Sequence, residues 1–304
     1  MHKRNHTLGN KLRSGITYHL MMIPGVIFLI IFSYIPMAGI IMAFQNYVPA
    51  KGLLHSEFVG LKHFNYMLML PDITQVVINT VTIALGKILF GTFMAITFAI
   101  LLNEIRKRVL KKWIQTIVYL PHFLSWVVLA AVIVNMFNLD GSVNLILTSL
   151  GLEKINFLGS NKWFQPLLVT TDVWKEFGYN SIVYLAAITS IDPGLHEVAA
   201  IDGAAWRKRI WHITLPGMLP IILLMAAMSL TSILSAGFDQ IYNLYTPMVY
   251  QSGDVLDTYV YRIGLIGRQY SFATAVGLLK SFIGMVLMLS ANGFSKKFTD
   301  RKIF

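Results

Sequence analysis

The fold class predicted is an all-α integral membrane protein with six transmembrane helices, and three features predict it. Of the 304 residues, 56% are apolar and only 13% are charged, and the mean hydropathy is positive, a balance too apolar for a soluble domain. Six apolar stretches, residues 20–44, 76–102, 113–137, 166–190, 220–238 and 272–294, are each close to the roughly 20 residues a helix needs to cross the hydrocarbon core. The basic residues behind the net charge of +11 sit in short clusters between these stretches. A nucleic-acid-binding protein gathers them on one soluble face instead, so no nucleic-acid partner is expected.

Orientation follows from where lysine and arginine fall, because positive charge is retained on the cytoplasmic side. The N-terminal tail carries four (Lys3, Arg4, Lys11, Arg13), the second connection five (Arg106, Lys107, Arg108, Lys111, Lys112), the fourth three (Arg207, Lys208, Arg209) and the C-terminal tail four (Lys296, Lys297, Arg301, Lys302). The other three connections carry two each. Both termini and residues 191–216 are therefore expected in the cytoplasm. The chain reads as one transmembrane domain over residues 1–304, with a cytoplasmic N-tail (1–19), the polar loop 191–216 and a C-tail (295–304).

The first apolar run follows basic residues as a signal peptide would. It is about 25 residues long and lacks a small-x-small cleavage site, so it reads as a retained first span. Pro24 and Pro36 within it each remove a helix hydrogen bond and predict kinks. The outer connections, residues 45–75, 138–165 and 239–271, are rich in aromatic and amide side chains. In the last of them Val255, Tyr259, Ile263 and Ile266 have helical spacing, which predicts a short amphipathic helix that either packs on the bundle or offers a partner-binding face.

Residues 191–216 are too long and too polar for a simple turn between two spans. Asp192 is placed to cap a helix starting at Pro193, where a missing N–H is harmless. Gly203 should end that helix, and Asp202 is placed to cap a second one. Leu195, Val198, Ala199 and Asp202 fall at i, i+3, i+4 and i+7, one face of the first helix. The small Ala199 and Ala200 permit close approach to another surface, which is either the ends of the spans or a second protein.

Glu197, Ala199, Asp202, Gly203, Ala204, Ile213, Leu215 and Pro216 match, gap for gap, the EAA signature of permease subunits of binding-protein-dependent ABC importers. Val198 replaces the first alanine of that signature, and Ile210 stands where an aromatic is usual. Further stretches resemble the carbohydrate-importer branch: Phe32 to Pro36, Ala43 to Tyr47, Val59 to Phe64, Asn79-Thr80, Tyr119 to Trp126 and Asp257 to Arg262. The resemblance implies a type I ABC importer permease fold in the cell membrane of a prokaryote. It implies a coupling helix that seats in an ATPase, with Leu195, Val198 and Ala199 filling the cleft, Glu197 pairing with a basic group there, and Gly203 bending the chain. The implied partners are a second permease, related rather than identical, a dimer of ATPase subunits, an extracytoplasmic sugar-binding protein and membrane lipid. ATP and magnesium would be bound by the ATPase, with no cofactor in this chain.

Ionisable residues inside spans are costly and face a bundle interior or a wet cavity. Asp172, Lys175 and Glu176 share one helical face, with Tyr179, Asn180 and Tyr184 beside them. A second polar group, Asp239, Gln240, Tyr242 and Asn243, follows the fifth span. Two readings are open for these groups: aromatic, amide and carboxylate contacts along a sugar path, or internal pairs that tie helices together. Lys87, in the second span, reads as the partner of an acid or as a snorkelling lysine.

Other classes lack their signatures. The eight histidines are scattered without metal-ligand spacing, there are no cysteines, and no G-x-x-x-x-G-K-[ST] sequence occurs. An ATPase or metalloenzyme activity is therefore not expected in this chain. A secondary transporter or channel would explain six spans but would leave loop 191–216 without a purpose.

Overall fold

The structure is a computed structural model that describes residues 18–231 and 233–299, with side chains described up to Ser290 except that of Thr231. Of the basic residues predicted for the two tails, those at 3, 4, 11, 13, 301 and 302 lie outside this description, as do the side chains of those at 296 and 297.

Helix α1 (Tyr18–Phe44) is not uniform. A π turn occupies Ile30–Tyr34, one α turn covers Ile35–Met37, and 3₁₀ geometry completes Ala38–Phe44. The irregularity has a cause in Pro36, whose ring clashes with the carbonyl four residues earlier in a regular helix. Widening the preceding turn relieves that clash. Pro24 produces no such change. Beyond α1, β1 (Gln45–Asn46) pairs antiparallel with β2 (Glu57–Phe58). Next come α2 (Lys62–Met69) and the long α3 (Pro71–Asn103), which opens with proline at its first position and Asp72 in its first turn.

The stretch predicted as the third span is two helices, α4 (Arg108–Tyr119) and α5 (Trp126–Phe137). Between them lie a 3₁₀ turn, Leu120–Phe123, and an extended Leu124. Pro121 denies the helix a donor, and Ser125 restarts it by accepting the Val128 N–H. After a tight turn comes α6 (Ser142–Ser149), then α7 (Asn161–Thr189). The loop helices α8 (Pro193–Ile201) and α9 (Trp206–Arg209) precede α10 (Leu215–Thr231). The predicted fifth span thus starts earlier than residue 220 and is interrupted before residue 238. The chain passes through Gly237 at φ +96° into α11 (Phe238–Leu244). Helix α12 (Leu256–Tyr261) and α13 (Tyr270–Thr299) complete the fold.

Among the described residues, five helical stretches are long and apolar enough to cross a membrane: Tyr18–Phe44, Pro71–Asn103, Trp126–Ser149, Trp206–Leu230 and Tyr270–Ser290. Helix α7 carries four charged residues, Lys162, Asp172, Lys175 and Glu176, but its packing makes it the remaining span. Ile83 and Ala84 of α3 meet Leu167 and Leu168 of α7, and Ala95 and Ala99 meet Ala187 and Ile188 further along. The two helices therefore run side by side in the same direction, and α7 crosses where α3 crosses. Helices α4 and α5 run the opposite way, with Val118 against Gly178 at one end and Leu129 and Ala130 near Leu168 at the other.

A third cluster joins Met67, Val76, Leu256, Tyr259, Phe272 and Val276, tying the starts of α3 and α13 to α12. The chain alternates direction through the bundle. Loop 191–216 consequently lies at the end from which α1 starts and toward which α13 runs, and β1, β2, α2 and α12 lie at the other end. The predicted amphipathic helix is α12 with the π turn Arg262–Ile266. It packs on the bundle through the buried Val255 and Tyr259, while Ile266 stays exposed. Much of the remaining apolar surface, notably along α1, is uncovered by this chain, as lipid-facing or partner-facing surface is.

Candidate coupling loop and intramembrane polar site

In the loop, Asp192 caps α8 by accepting the Gly194 N–H at 2.9 Å, as its position before Pro193 predicts. At the far end Gly203 adopts φ +76°. Its N–H reaches the Ala200 carbonyl at 3.1 Å and the Ala204 N–H reaches that of Ala199 at 2.8 Å, the pair of hydrogen bonds of a Schellman ending. The expectation for Asp202 is corrected: it closes α8 as its C-cap, and α9 begins after Ala205 with no side-chain cap. The chain is already turning at Gly203, too early for Asp202 to reach the α9 amides.

A second π turn, Ile210–Thr214, returns the chain to α10. Its offset to Pro216 is the same as that of Ile30–Tyr34 to Pro36, and the cause is the same. Ile191 packs against Gly217, where a Cβ would meet its Cδ1 at 2.7 Å, and Thr214 is buried. The loop is thereby clamped to the ends of α7 and α10.

Two faces of the loop differ. Beneath α8 lies a cavity of about 490 Å³ lined by Asn103, Glu104 and Arg106 at and just past the end of α3, and by His196, Glu197 and Arg209 of the loop. Arg209 Nε is buried there without a hydrogen-bond partner. On the other side Leu195, Val198 and Ile201 are 53%, 59% and 85% exposed. Ala200 and Asp202 are exposed beside them, Ala199 is half-buried, and Ile213 and Leu215 lie inward with half-buried side chains. The apolar face of α8 is thus left uncovered by the bundle.

The second site lies mid-bundle, where both interrupted spans have free carbonyls. Lys87 on α3 donates to the Ala236 carbonyl at 2.7 Å and also to Gln240 Oε1, and pairs with Asp172 of α7 at 3.1 Å. Gln240, wholly buried, turns its amide to the Leu168 carbonyl and Thr171 Oγ1, each at 2.8 Å. Lys175 donates to the His122 carbonyl at 2.7 Å and to Glu176 at 3.0 Å, and its ammonium lies 5.5 Å from the centre of the Trp126 ring. Glu176 pairs with His122 Nδ1 at 2.7 Å, and that imidazole stacks on Tyr179 with centroids 3.8 Å apart.

Each break in a membrane helix is therefore closed by a lysine from a neighbouring span. This satisfies the rule that backbone polar groups in lipid must find partners within the protein. Asp172, Lys175, Glu176 and Gln240 all make such internal contacts. Tyr184 is buried among Ala95, Ala99 and Met218. Tyr179 and Asp239 are exposed, and Asn180 and Asn243 are partly so; Asn243 donates to the Asp239 carbonyl at 2.7 Å. His122, Trp126 and Thr171 belong to the site and were not assigned to it from sequence. The break that brings His122 in lies at Pro121, which was not read as one, and nothing in the sequence marks its partner.

The other motif residues build the opposite end. Asn79 donates to the carbonyls of Gln251 and Asp254 at 2.9 and 3.1 Å, and Thr80 Oγ1 accepts the Leu256 N–H at 2.9 Å. Asp254 pairs with Arg262, and Asp257 with Lys280.

A multi-pass bundle with broken, internally latched helices and an uncovered helical loop at one end defines a membrane permease that works with a separate protein. Residues 95–303 match the family model described as the binding-protein-dependent transport system inner membrane component, and the chain belongs to that family. It is 40% identical over 288 residues to the polygalacturonan/rhamnogalacturonan transport system permease protein YteP of Bacillus subtilis, covering 94% of this chain and 89% of the relative. Protein LplB of the same organism is 39% identical over 287 residues, covering 94% and 90%. Among solved structures, a bacterial ABC transporter involved in the import of the acidic polysaccharide alginate superposes with a TM-score of 0.87 at 38% identity, covering 96% of this chain and 99% of that one. A bacterial alginate ABC transporter in complex with alginate pentasaccharide-bound periplasmic protein also gives 0.87, at 37% identity, covering 96% and 98%. The architecture is the type I ABC importer permease fold.

Proposed function

We propose that this chain is the membrane-spanning permease subunit of an ATP-driven importer for a sugar or oligosaccharide delivered by an extracytoplasmic binding protein. The observation that carries the ATP-driven reading is the outward apolar face of α8, Leu195, Val198 and Ile201, on a loop clamped to two spans. A closing movement of an ATPase subunit seated there is passed directly to α7 and α10. Permeases of carbohydrate importers among the relatives support the substrate class.

In this reading loop 191–216 and both termini face the cytoplasm of a prokaryotic cell, and two ATPase subunits bind ATP and magnesium. A second, related permease completes the path. Tyr179, Asn180, Asp239 and Asn243 offer their exposed groups to the sugar, Glu176 its partly exposed carboxylate, and Asp172, Lys175, Tyr184 and Gln240 hold the helices that present them. Glu197 lines the cavity beneath α8, a place that supports a role in setting the tilt of the loop beside its pairing with the ATPase. The test is uptake of labelled oligosaccharide by proteoliposomes containing the co-purified complex. Uptake is expected to require ATP and the binding protein; uptake driven by an ion gradient alone would identify a secondary transporter.

A further inference from the structure

The end of the bundle opposite the coupling loop holds a cavity of about 890 Å³ between the end of α1, helix α2 and the start of α13. Its volume is that of a small-molecule site. Three tyrosines line it, Tyr47, Tyr66 and Tyr270, with the amides of Asn65 and Gln269 between them. Flat aromatic faces and neutral amides suit sugar rings and hydroxyls, as they suit other amphipathic ligands.

The charge in this cavity is one-sided. Lys62 and Arg268 both line it, and no aspartate or glutamate does. Neither cation has an ion-pair partner among the described residues, whereas Lys87, Lys154, Lys175, Arg262 and Lys280 are each paired with a carboxylate. Arg268 is also the one described non-glycine residue with positive φ, at 56°. A left-handed conformation costs a residue with a Cβ about 1–2 kcal/mol, and such strain persists where the surroundings enforce it. Here Gly267 and Gln269 are both bonded back to the π turn, to the carbonyls of Arg262 at 2.8 Å and Ile263 at 3.1 Å, and they hold Arg268 between them at the rim.

The walls are fixed before any ligand arrives. The Tyr47 N–H bonds to Ser271 Oγ at 2.8 Å, and the Tyr47 and Tyr270 rings meet edge to face at 6.1 Å. Tyr66 packs on Phe272 at 5.6 Å, and His63 is held by the Gln45 carbonyl at 3.1 Å. A preorganised, aromatic, amide-bearing pocket with two uncompensated cations is complementary to a carboxylate-bearing sugar. We infer that this cavity is a subsite for an anionic oligosaccharide, in which Lys62 and Arg268 bind the uronate carboxylates and the tyrosines stack on the rings. The inference rests on the carbohydrate reading above and adds to it the sign of the substrate's charge and a place where it is read.

The test uses the complex as it co-purifies, in nanodiscs of phosphatidylcholine so that no anionic lipid competes, and without the binding protein. The probes are a trisaccharide of galacturonic acid and its fully methyl-esterified, neutral counterpart. The wild type is expected to bind the acid at least tenfold more tightly than the ester. Lys62→Gln with Arg268→Gly is expected to abolish that difference with an unchanged melting temperature, because glycine accepts the backbone angle of residue 268 without strain. Equal binding of acid and ester, no binding of either, or an undiminished preference in the double variant would overturn the inference. So would a variant that binds the free trisaccharide normally and loses only docking of the sugar-loaded binding protein, since the cations would then serve that protein. ATP-driven uptake of a neutral oligosaccharide by the wild-type complex checks the carbohydrate reading separately.

Discussion

Lys87 reaches from the middle of α3 to the carbonyl oxygen of Ala236, 2.7 Å away, at the point where the fifth membrane helix is interrupted. The same ammonium pairs with Asp172 of α7, so one side chain ties three spans together. Removing one member of a buried pair leaves the other charge uncompensated, at about 3–5 kcal/mol. Lys87→Met is therefore expected to lower the free energy of unfolding in detergent by an amount in that range. Lys87→Met with Asp172→Leu should recover part of the loss, while the Ala236 carbonyl stays unsatisfied. A double variant no more stable than the single one would remove the pair from the account.

Gly178 marks the crossing of α4 and α7. A Cβ there would lie 2.5 Å from the Val118 carbonyl oxygen, and backbone does not yield as a side chain does. Gly178→Ala should push α4 away and destabilise by about 1–3 kcal/mol, the usual range for overpacking. Gly277→Ala in α13, with nothing within 4 Å, is the control and should leave stability unchanged or slightly raised. Thermal melts of the two variants in the same detergent make the comparison.

At Gly203 the space is open but the backbone is not. Nothing lies within 4 Å of a Cβ there, and φ is +76°. Gly203→Ala should cost about 1–2 kcal/mol of local strain and reduce coupled uptake several-fold. Gly203→Pro should abolish uptake, because proline fixes φ near −65° and deletes the N–H that closes α8. Both variants should reach the membrane at wild-type levels; wild-type uptake in the proline variant would contradict the bend.

What was legible in the sequence divides along physical lines. The bend at Gly203 and the cap at Asp192 could be read because local chemistry determines them. The spans could be read from apolar length, although their interruptions could not. Hydropathy sums carbon surface and is blind to a backbone that leaves helical geometry within an apolar run, as it does at Leu124 and Gly237. The helical spacing of Asp172, Lys175 and Glu176 placed them on one face. It said nothing of His122, and the acid expected as the partner of Lys87 could be named as Asp172 only once the spans had packed, as could the Ala236 carbonyl that Lys87 also reaches. Asp202 misled because its spacing suited two caps and the turn left room for one.

Exposure of the α8 face gives a further expectation. Leu195→Ala and Ile201→Ala remove apolar surface that this chain does not bury, so each should change the melting temperature of the isolated chain little. Loss of contact with the ATPase should nevertheless lower ATP-driven uptake several-fold. A large loss of stability in the isolated chain would place these side chains in its own core instead.

The chain contains no cysteine, so a single Val198→Cys reports on this face alone. Proteoliposomes of the Val198→Cys complex should take up oligosaccharide only with ATP inside. A bulky maleimide attached to Cys before assembly should prevent the ATPase from seating and abolish that uptake. Undiminished uptake by the modified complex, or uptake that proceeds without ATP, would contradict the account.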